Sequence, residues 1–495
     1  MSDITREMLI SHDTHETRVA IVEDRRLVEL YVERPKRSVV GNVYLGKVKD
    51  VLPGMQAAFV DIGLEKNAFL YVDEVVTPEG ASTSASRDIQ SLLRPGQQLM
   101  VQVLKDPMGT KGARVTTEIT LPGRFLVLMP FSPFVGLSRK LADAERDRLE
   151  QIISPLVPEG VGVIVRTAAV GATETDLTGD LEFLLRLWGR VRNQARDGLA
   201  PEVVYTEMDV ALRLVRDAFG DEFRRLVIDD KRVFEKVTSF LRKTTPKLVK
   251  RVQLYKDRLP LFETYGMRDD IIGAVLREVP LPSGGHITID ITEALTAIDV
   301  NTGSYVGRKN LEDTVVRTNL EAAVEAVRQL RLRDIGGIIV IDFIDMEDPA
   351  NRQLVIDRLT EGLERDRTKT RVSEMSRLGL VELTRKNVTD GLYGVLTEPC
   401  PTCHGEGRVL SDATRRISVE RRLREILLSG RSSAYLVGLN PQTYALVSAP
   451  GHNAIALLRA ETGKQLSVIA DPDVAPTEVR ILIEGKAGSI GLEMD

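Results

Sequence analysis

The chain has 495 residues, enough for several domains rather than one. Hydrophobic residues make up 43% of it and charged residues 28%, which is ordinary for globular proteins and gives no indication of disorder. The formal net charge of -5, from 67 basic and 72 acidic residues, gives no support to nucleic-acid binding by the surface as a whole, so such a function must rest on local basic and aromatic features.

Three features bear on the cellular compartment. The segment Met1–Ile10 alternates charged and apolar residues and has no hydrophobic run of signal-peptide length. No apolar run elsewhere approaches the roughly 20 residues needed to cross a bilayer. The only two cysteines lie in one short motif, so a disulfide framework is not expected. We therefore expect a cytoplasmic protein.

The first 120 residues are predicted to form short strands. Residues 16–34 contain two, ETRVAIVED and RLVELYVER, joined by a charged turn. From Gly41 to about Thr120 the clearest strands are VYLGKVKDV, QAAFVDIG, NAFLYV and QLMVQVLKD. Several short strands with glycine-bearing turns are typical of a small closed barrel. The polar stretch Ala81–Arg87 is expected to be an exposed loop of this barrel.

The middle of the chain is predicted to be mainly helical. We expect helices at about 140–155, 179–195 and 205–220, with VGVIVRTAAV as a strand between the first two. The stretch Lys231–Arg258 is strongly basic. The sequence leaves open whether this stretch is a solvated surface or a functional one.

Residues 279–399 alternate strand, helix and strand, as an α/β unit does. HITIDIT and LTAIDVN are predicted strands, and Asn310 can cap the helix that follows, with Asp313 in a capping-box position. Gly336 and Gly337 are expected to end that helix. Its predicted buried stripe consists of Leu311, Val315, Ala322, Ala326 and Leu330. IIVIDFID is predicted to be a central strand, apolar on both faces until its carboxyl end.

The last unit, about 413–495, shows no motif that points to chemistry. Helices are predicted at 413–429 and 452–462. The predicted strands are AYLVGL, TYALVSA, LSVIAD and VRILIEG.

Two aspartates stand on the apolar strands of the α/β unit. Asp299 lies near the end of LTAIDVN and Asp342 near the end of IIVIDFID. Burying two neighbouring carboxylates is costly unless a cation lies between them, and magnesium is commonly held by one or two carboxylates and substrate phosphate. Asn301 points to the same face as Asp299 and could fix a carboxylate or the phosphate. On the strand pattern alone, the acids could equally cap helices or pair with arginines, and Asp345 and Asp348 compete for the metal role.

The cysteines lie in CPTCHGEGR, at Cys400 and Cys403. Cys-x-x-Cys-His is also a haem-attachment pattern, but that chemistry belongs outside the cytosol. A redox pair remains an alternative. The glycine-rich turn is typical of half a zinc site, although structural zinc usually has four ligands and the chain offers two cysteines.

Several motifs together resemble the ribonuclease E/G family. They are QAAFVDIG, GTKGARVTT, IVRTAAVG, LTAIDVNTG, TNLEAAVEAVRQLRLRDIGGIIVIDFIDM and CPTCHGEG, in the family's order and at similar spacings. The resemblance runs from about residue 16 to the C-terminus and is weakest at 74–92 and in the last unit. Without a long disordered tail, the chain resembles the short, ribonuclease G-like members.

The resemblance implies a multidomain α/β and β-barrel fold. An S1-type OB-fold is inserted in a ribonuclease H-like subdomain, followed by a DNase I-like α/β catalytic subdomain and a small α+β domain. The implied boundaries are 1–35 and 214–278 for the two parts of the ribonuclease H-like subdomain, 36–125 for the S1 barrel, 126–213 for a 5′-phosphate sensor, 279–399 for the catalytic subdomain, 400–412 for a zinc link and 413–495 for the C-terminal domain.

The resemblance also implies the catalytic residues. In the family, the acids matching Asp299 and Asp342 bind magnesium, and the residue matching Asn301 supports them. Asp345 matches a position without a direct metal role. Hydrolysis is then expected to leave a 5′-phosphate and a 3′-hydroxyl.

RNA-binding residues are implied on the barrel. Phe59 and Phe69 match the aromatic residues on which bases stack, and Lys111 matches a lysine that contacts RNA. Lys105 is expected on the same hairpin. The alternative is that both phenylalanines are core residues, which is the commoner fate of phenylalanine.

Two further sites follow from the resemblance. Arg166 and Thr167 match a pocket for a 5′-monophosphate, a group that suits an arginine fork and a hydroxyl. The alternative for Arg166 is a buried ion pair with a neighbouring domain. Cys400 and Cys403 are expected to share one zinc ion with the same pair of a second chain, which predicts a homodimer. His404 is a further candidate ligand, and the sequence leaves a homotetramer open.

The resulting hypothesis is a magnesium-dependent endoribonuclease. It is expected to cut single-stranded RNA, to favour 5′-monophosphorylated substrates, and to act in ribosomal RNA processing and messenger RNA decay. The alternative from another class is a non-catalytic RNA-binding protein that uses the barrel.

Overall fold

A computed structural model gives the fold of the chain, which divides into two compact units, residues 1–397 and 398–495. The residues it describes are 4–34, 38–76, 88–107, 111–303, 311–376, 378–386, 391–403, 405–449 and 454–487. Within these ranges, none of the helices has both the length and the apolar character of a membrane span.

The elements, in chain order, have the following bounds. The strands are β1 (Arg6–His12), β2 (Thr17–Glu23), β3 (Arg26–Glu33), β4 (Val43–Leu52), β5 (Ala57–Asp61), β6 (Ala68–Tyr71), β7 (Gln98–Lys105), β8 (Arg114–Thr116), β9 (Leu121–Pro122), β10 (Leu126–Met129), β11 (Val135–Leu137), β12 (Gly162–Val165), β13 (Glu202–Tyr205), β14 (Phe223–Ile228), β15 (Val252–Leu254), β16 (Glu278–Pro280), β17 (His286–Ile291), β18 (Thr296–Asn301), β19 (Gly337–Asp342), β20 (Thr370–Val372), β21 (Leu380–Arg385), β22 (Ala434–Leu439), β23 (Gln465–Ala470) and β24 (Arg480–Gly485). The α-helices are α1 (Ile89–Leu92), α2 (Asp143–Ile153), α3 (Glu174–Asp197), α4 (Val210–Asp217), α5 (Lys231–Thr244), α6 (Leu261–Thr264), α7 (Arg268–Gly273), α8 (Leu311–Leu332), α9 (Pro349–Glu364), α10 (Gly391–Leu396), α11 (Asp412–Ser429), α12 (Pro441–Val447) and α13 (Ala454–Thr462).

Strands from two distant parts of the chain form one five-stranded sheet, in the order β15-β14-β1-β2-β3. The two strands predicted within residues 16–34 are β2 and β3. The strand before them, β1, was not predicted. It pairs with β14 on one side and β2 on the other, and Met8, Leu9 and Ile10 are all fully buried. A central strand buried on both faces has no alternation of apolar and polar residues to detect.

The predicted small closed barrel is confirmed. Strands β4, β5, β6, β8 and β7 follow one another around it, and direct pairing of β4 with β7 closes the circle. Strand β13, from outside the predicted segment, adds to the edge of β4. The loop expected at Ala81–Arg87 lies outside the described residues.

The chain after the barrel forms a four-stranded sheet, β11-β12-β10-β9, packed with α2 and α3. Helix α3 starts with a capping box in which Thr173 and Asp176 satisfy each other's backbone N–H groups. The predicted helices at 140–155 and 179–195 correspond to α2 and α3. The basic stretch Lys231–Arg258 contains α5, a 3-10 turn and β15.

A six-stranded mixed sheet, β16-β17-β18-β19-β21-β20, lies near the end of the first unit. Helices α8 and α9 pack together, and their buried side chains share one core with those of the sheet. The predicted stripe of α8 is buried at Val315, Ala322, Ala326 and Leu330, whereas the side chain of Leu311 and the whole of Asn310 lie outside the described residues.

Strand β19 lies inside the sheet and is apolar on both faces up to its carboxyl end, as predicted, but only one of the two faces is buried. Ile339 and Ile341 are fully buried, but Ile338, which points the other way, is 51% exposed. The sheet therefore has one face in the core and one open face, and the polar ends of β18 and β19 lie on the open face.

The second unit contains a three-stranded sheet, β23-β22-β24, with α11, α12 and α13. The prediction of a strand at TYALVSA is wrong, because those residues lie mostly in α12. Asn440 caps this helix by accepting a hydrogen bond from the backbone N–H of Gln442, and Pro441 occupies its first turn. A short apolar run fits a strand or a buried helix equally well. Here the Asn440 cap favours the helix.

A buried carboxylate joins the first sheet to the α/β unit. Glu29 of β3 is bound by Arg331 of α8 at 2.9 Å and also by Arg367, which follows α9. Burial opposes the ionisation of Glu29, yet the two guanidiniums lower the pKa of Glu29 to about 2. Arg331 also pairs with Glu23 of β2 at 3.0 Å. The contact thus fixes α8 against the β2–β3 hairpin.

We predict that Glu29→Ala lowers the free energy of unfolding by roughly 3 kcal/mol, because it leaves the buried guanidinium of Arg331 without one of its two carboxylate partners. The stabilisation requires ionised Glu29. The pKa is below the unfolded value of 4.5, so the stabilisation is complete above that pH and is lost as the pH falls towards 2. Thermal unfolding from pH 7 to pH 3, followed by circular dichroism, measures both effects.

The matched control is Glu182→Ala, which removes an exposed ion pair with Arg186. Its cost is expected to stay below about 1 kcal/mol. Equal melting temperatures for the two variants would contradict the role assigned to Glu29.

Candidate catalytic and RNA-binding sites

Asp299 and Asp342 are direct neighbours on the open face of the six-stranded sheet. Strands β18 and β19 run parallel, and their register places Asp299 beside Asp342. Neighbouring strands lie about 4.8 Å apart, so the two carboxylates project side by side from the same face. Both side chains are exposed.

The carboxylates repel each other and are held in place by an amide. Burial and the negative charges of Asp299 and Asp345 raise the pKa of Asp342. Asn301, two residues along β18, donates a hydrogen bond from Nδ2 to Oδ2 of Asp299 at 2.6 Å. A cation between the two carboxylates would relieve the repulsion.

The competing aspartates have different surroundings. Asp348 caps α9 by accepting a hydrogen bond from the backbone N–H of Ala350 at 2.8 Å. Asp345 is exposed and adds negative charge near Asp342. Within the described ranges, no group of three or more His, Cys, Asp or Glu side chains is arranged to hold a metal ion. Asp299, Asp342 and Asn301 offer two carboxylates and one amide.

A row of aromatic and basic side chains crosses the barrel. Phe59 of β5 pairs with Phe69 of β6, and their ring centroids lie 5.6 Å apart in an edge-to-face arrangement. Phe69 in turn pairs with Arg114 of β8, which pairs with Lys105 of β7. Both phenylalanines are half-buried, so their rings are not confined to the barrel core. Lys111 is exposed.

Sequence reasoning missed two members of this row. Tyr71 is 40% exposed, and its ring lies 4.5 Å from that of Phe69. The guanidinium of Arg114 lies 5.0 Å above the Tyr71 ring and pairs with Glu74 at 2.7 Å. The available signal for Tyr71 was its position two residues after Phe69, which places both on one face of the strand.

Arg166 is engaged with groups from other parts of the chain. Its Nη1 donates to the carbonyl oxygen of Gly123 at 2.6 Å and to Oδ1 of Asp217 at 2.7 Å. Burial opposes ionisation of Asp217, but Arg216 and Arg166 hold the pKa of that carboxyl below its usual value. Thr167 is exposed and starts a 3-10 turn. The ion pair weighed as the alternative for Arg166 is thus present, with Thr167 beside it.

The two cysteines of the second unit lie in one turn. Cys400 is exposed, Cys403 is half-buried, and both are free thiols. The backbone N–H groups of Cys403 and Thr402 point to the Cys400 sulfur and lower the pKa of that thiol. His404 lies outside the described residues. An exposed turn with two thiols suits a soft metal ion that has further ligands.

Comparison with known proteins gives consistent matches. Residues 120–388 match the model of the Ribonuclease E/G family. Ribonuclease G of Escherichia coli (strain K12) is 40% identical over 477 residues, which are 95% of this chain and 98% of that protein. Ribonuclease G of Haemophilus influenzae is 41% identical over 471 residues, 93% of this chain and 96% of that protein. Ribonuclease E of Escherichia coli (strain K12) is 38% identical over 427 residues, which are 85% of this chain and 40% of that protein.

Proposed function

Because the chain belongs to the ribonuclease E/G family and is an endoribonuclease, we propose that it hydrolyses single-stranded RNA with a magnesium ion held by Asp299 and Asp342. The observation that carries the proposal is the register that puts these carboxylates side by side on an open sheet face. Magnesium prefers hard oxygen ligands, and two adjacent carboxylates are stabilised by a cation between them. The pair therefore suits a magnesium ion.

The residues of the site divide the chemistry between them. A bound magnesium ion would polarise the phosphate and lower the pKa of a water molecule that attacks phosphorus. Asp299 and Asp342 hold the ion, and Asn301 keeps Asp299 in one orientation through its 2.6 Å hydrogen bond. Cleavage leaves a 5′-phosphate and a 3′-hydroxyl.

The barrel delivers the single strand. Phe59, Phe69 and Tyr71 offer ring surface for base stacking, and Lys105, Lys111 and Arg114 offer charge to the phosphates. Aromatic rings interleaved with basic side chains are the usual arrangement for single strands, since each base has a face that can stack.

Arg166 and Thr167 select the 5′ end of the RNA. A terminal monophosphate carries more charge than an internal diester, so it competes better for an arginine that already has a carboxylate partner in Asp217. The added bulk of a triphosphate would fit poorly. The enzyme therefore favours 5′-monophosphorylated substrates, which are the products of earlier cuts in ribosomal RNA processing and messenger RNA decay.

Cys400 and Cys403 hold one zinc ion together with the same pair of a second chain, so the enzyme is a homodimer. The support is chemical: the chain has two cysteines, and structural zinc usually has four ligands. Two such dimers could form a homotetramer.

We predict that Asp342→Asn lowers the cleavage rate of a short single-stranded RNA by a factor on the order of a hundred, the scale of removing one group that stabilises transition-state charge. Wild-type cleavage should require added magnesium. Binding of the same RNA, measured by fluorescence anisotropy, should be retained. The matched control is Glu347→Gln, a nearby exposed acid. Undiminished cleavage by Asp342→Asn, or cleavage in excess chelator, would contradict the site.

A second prediction concerns the 5′ end. RNA with a 5′-monophosphate should be cut faster than the same RNA with a 5′-triphosphate or a 5′-hydroxyl. Arg166→Ala should reduce this preference roughly tenfold or more, because it removes charge-assisted hydrogen bonds to the phosphate. The control is Arg186→Ala, an exposed arginine of α3. Equal initial rates on all three substrates, unchanged in Arg166→Ala, would exclude the pocket.

The third prediction concerns zinc. Plasma mass spectrometry of the purified protein should find one zinc ion for every two chains. The double variant Cys400→Ser with Cys403→Ser should lose the zinc and sediment as a monomer in analytical ultracentrifugation, whereas Thr402→Ala should retain both. Zinc-free wild type, or one zinc ion for each chain, is incompatible with a shared site.

A further inference from the structure

A histidine lies one diagonal position from the catalytic pair. His286 is the first residue of β17, and its register partners are Asn301 of β18 and Pro280 of β16. The partner of Asp299 on β17 is Thr288, two residues from His286. Diagonal neighbours in an antiparallel pair lie about 7–8 Å apart, so the imidazole is on the same open face as Asp299 and close to it.

The backbone at His286 is tightly held. A Cβ atom added at Gly285 would lie 2.4 Å from the carbonyl oxygen of Asn301, and one at Gly303 would lie 2.5 Å from that of Gly284. The turn before His286 therefore packs directly against the end of β18. The carboxylate of Glu321 on α8 also accepts a hydrogen bond from the backbone N–H of Ser283 at 2.8 Å. The ring is presented from a fixed position relative to Asn301.

The imidazole of His286 has no hydrogen-bond or ion-pair partner among the described residues. Its side chain is half-buried. Its sequence neighbour Ile287 is fully buried and points into the core, which directs His286 to the open face. Arg277, further along this face, is already paired with Asp290. His286 thus provides a flat ring beside a metal-binding pair, with no evident structural use for its polar atoms.

We propose that His286 is the stacking platform for the base of the nucleotide adjacent to the linkage cleaved at Asp299 and Asp342. The inference rests on the proposed function of that pair. Single strands are recognised by stacking unstacked bases on aromatic side chains, histidine included. The backbone positions of His286 and Asp299 are about 7–8 Å apart. This distance is similar to the spacing of successive nucleotides in an extended strand. A phosphate bound at the carboxylates therefore brings a neighbouring base to the imidazole ring.

The experiment measures KM and kcat on a short unstructured RNA with one cleavage site and a 5′-hydroxyl, which removes any contribution from Arg166. His286→Ala should raise KM roughly tenfold, as expected for the loss of one stacked base, with kcat changed much less. His286→Phe should restore KM, since it keeps a ring and lacks polar atoms. His286→Asn, which keeps a hydrogen-bonding group and lacks an aromatic ring, should behave as His286→Ala.

A second substrate tests the contact itself. An RNA with an abasic residue next to the cleaved linkage should raise KM for the wild type to the value of His286→Ala, and should not affect His286→Ala further. The control is Thr384→Ala, an exposed position on β21 of the same sheet. Equal melting temperatures for all variants show that the fold is intact.

Two results would overturn the inference: an unchanged KM for His286→Ala, or recovery by His286→Asn but not by His286→Phe, which would indicate a hydrogen bond instead of stacking. These results are separable from failure of the proposed catalytic pair. If Asp342→Asn is inactive while His286→Ala behaves as wild type, the stacking platform alone is excluded. If Asp342→Asn remains active, the site itself is wrong.

Discussion

The parallel register of β18 and β19 is the constraint on which the candidate site depends. It places Asp299 beside Asp342, and the alternation along each strand then turns Ile298 and Ile341 into the core. A slip of one residue would send one of the carboxylates into that core and an isoleucine to the open face. The register is therefore stabilised by the burial of apolar side chains against α8 and α9, and the carboxylate repulsion that it creates is offset by that burial. Asn301 lies on the same face of β18 as Asp299, and the antiparallel pairing of β17 with β18 places His286 opposite Asn301.

The subdomains of the first unit are joined by buried charge. Glu29 lies between Arg331 and Arg367, and each arginine belongs to a segment of the α/β unit. Charges of this kind are costly unless every partner is present, so they favour a single arrangement of the two sheets. Arg166 and Asp217 form a comparable pair between the four-stranded sheet and α4. In the proposed function, the Arg166–Asp217 pair also affects RNA binding, because the 5′-phosphate of the RNA must compete with the Asp217 carboxylate for Arg166.

Recognition of RNA by this chain rests on local features, since the net charge of -5 disfavours a polyanion. On the barrel, Phe59, Phe69 and Arg114 occupy one row across three strands, which brings together residues 59 to 114 of the sequence. Acidic side chains dominate the open sheet face and repel a phosphate group. A cation bound to these acids would attract the phosphate to that face. The two surfaces thus have opposite charge and complementary proposed roles, one for holding the strand and one for cutting it.

The sequence by itself determined the family, the closed barrel and the α/β unit, and it singled out the two aspartates as candidates, because ordered motifs and local periodicity can be recognised without a structure. It did not determine which acids are neighbours, since register between β18 and β19 depends on packing between segments some forty residues apart. It also missed β1, which has no periodicity because both its faces are buried, and α12, where a cap outweighed an apolar run. Arg114, Asp217 and His286 became visible only in three dimensions. Their roles depend on a neighbour on the adjacent strand or on a side chain of opposite charge. Only the tertiary structure brings these partners together.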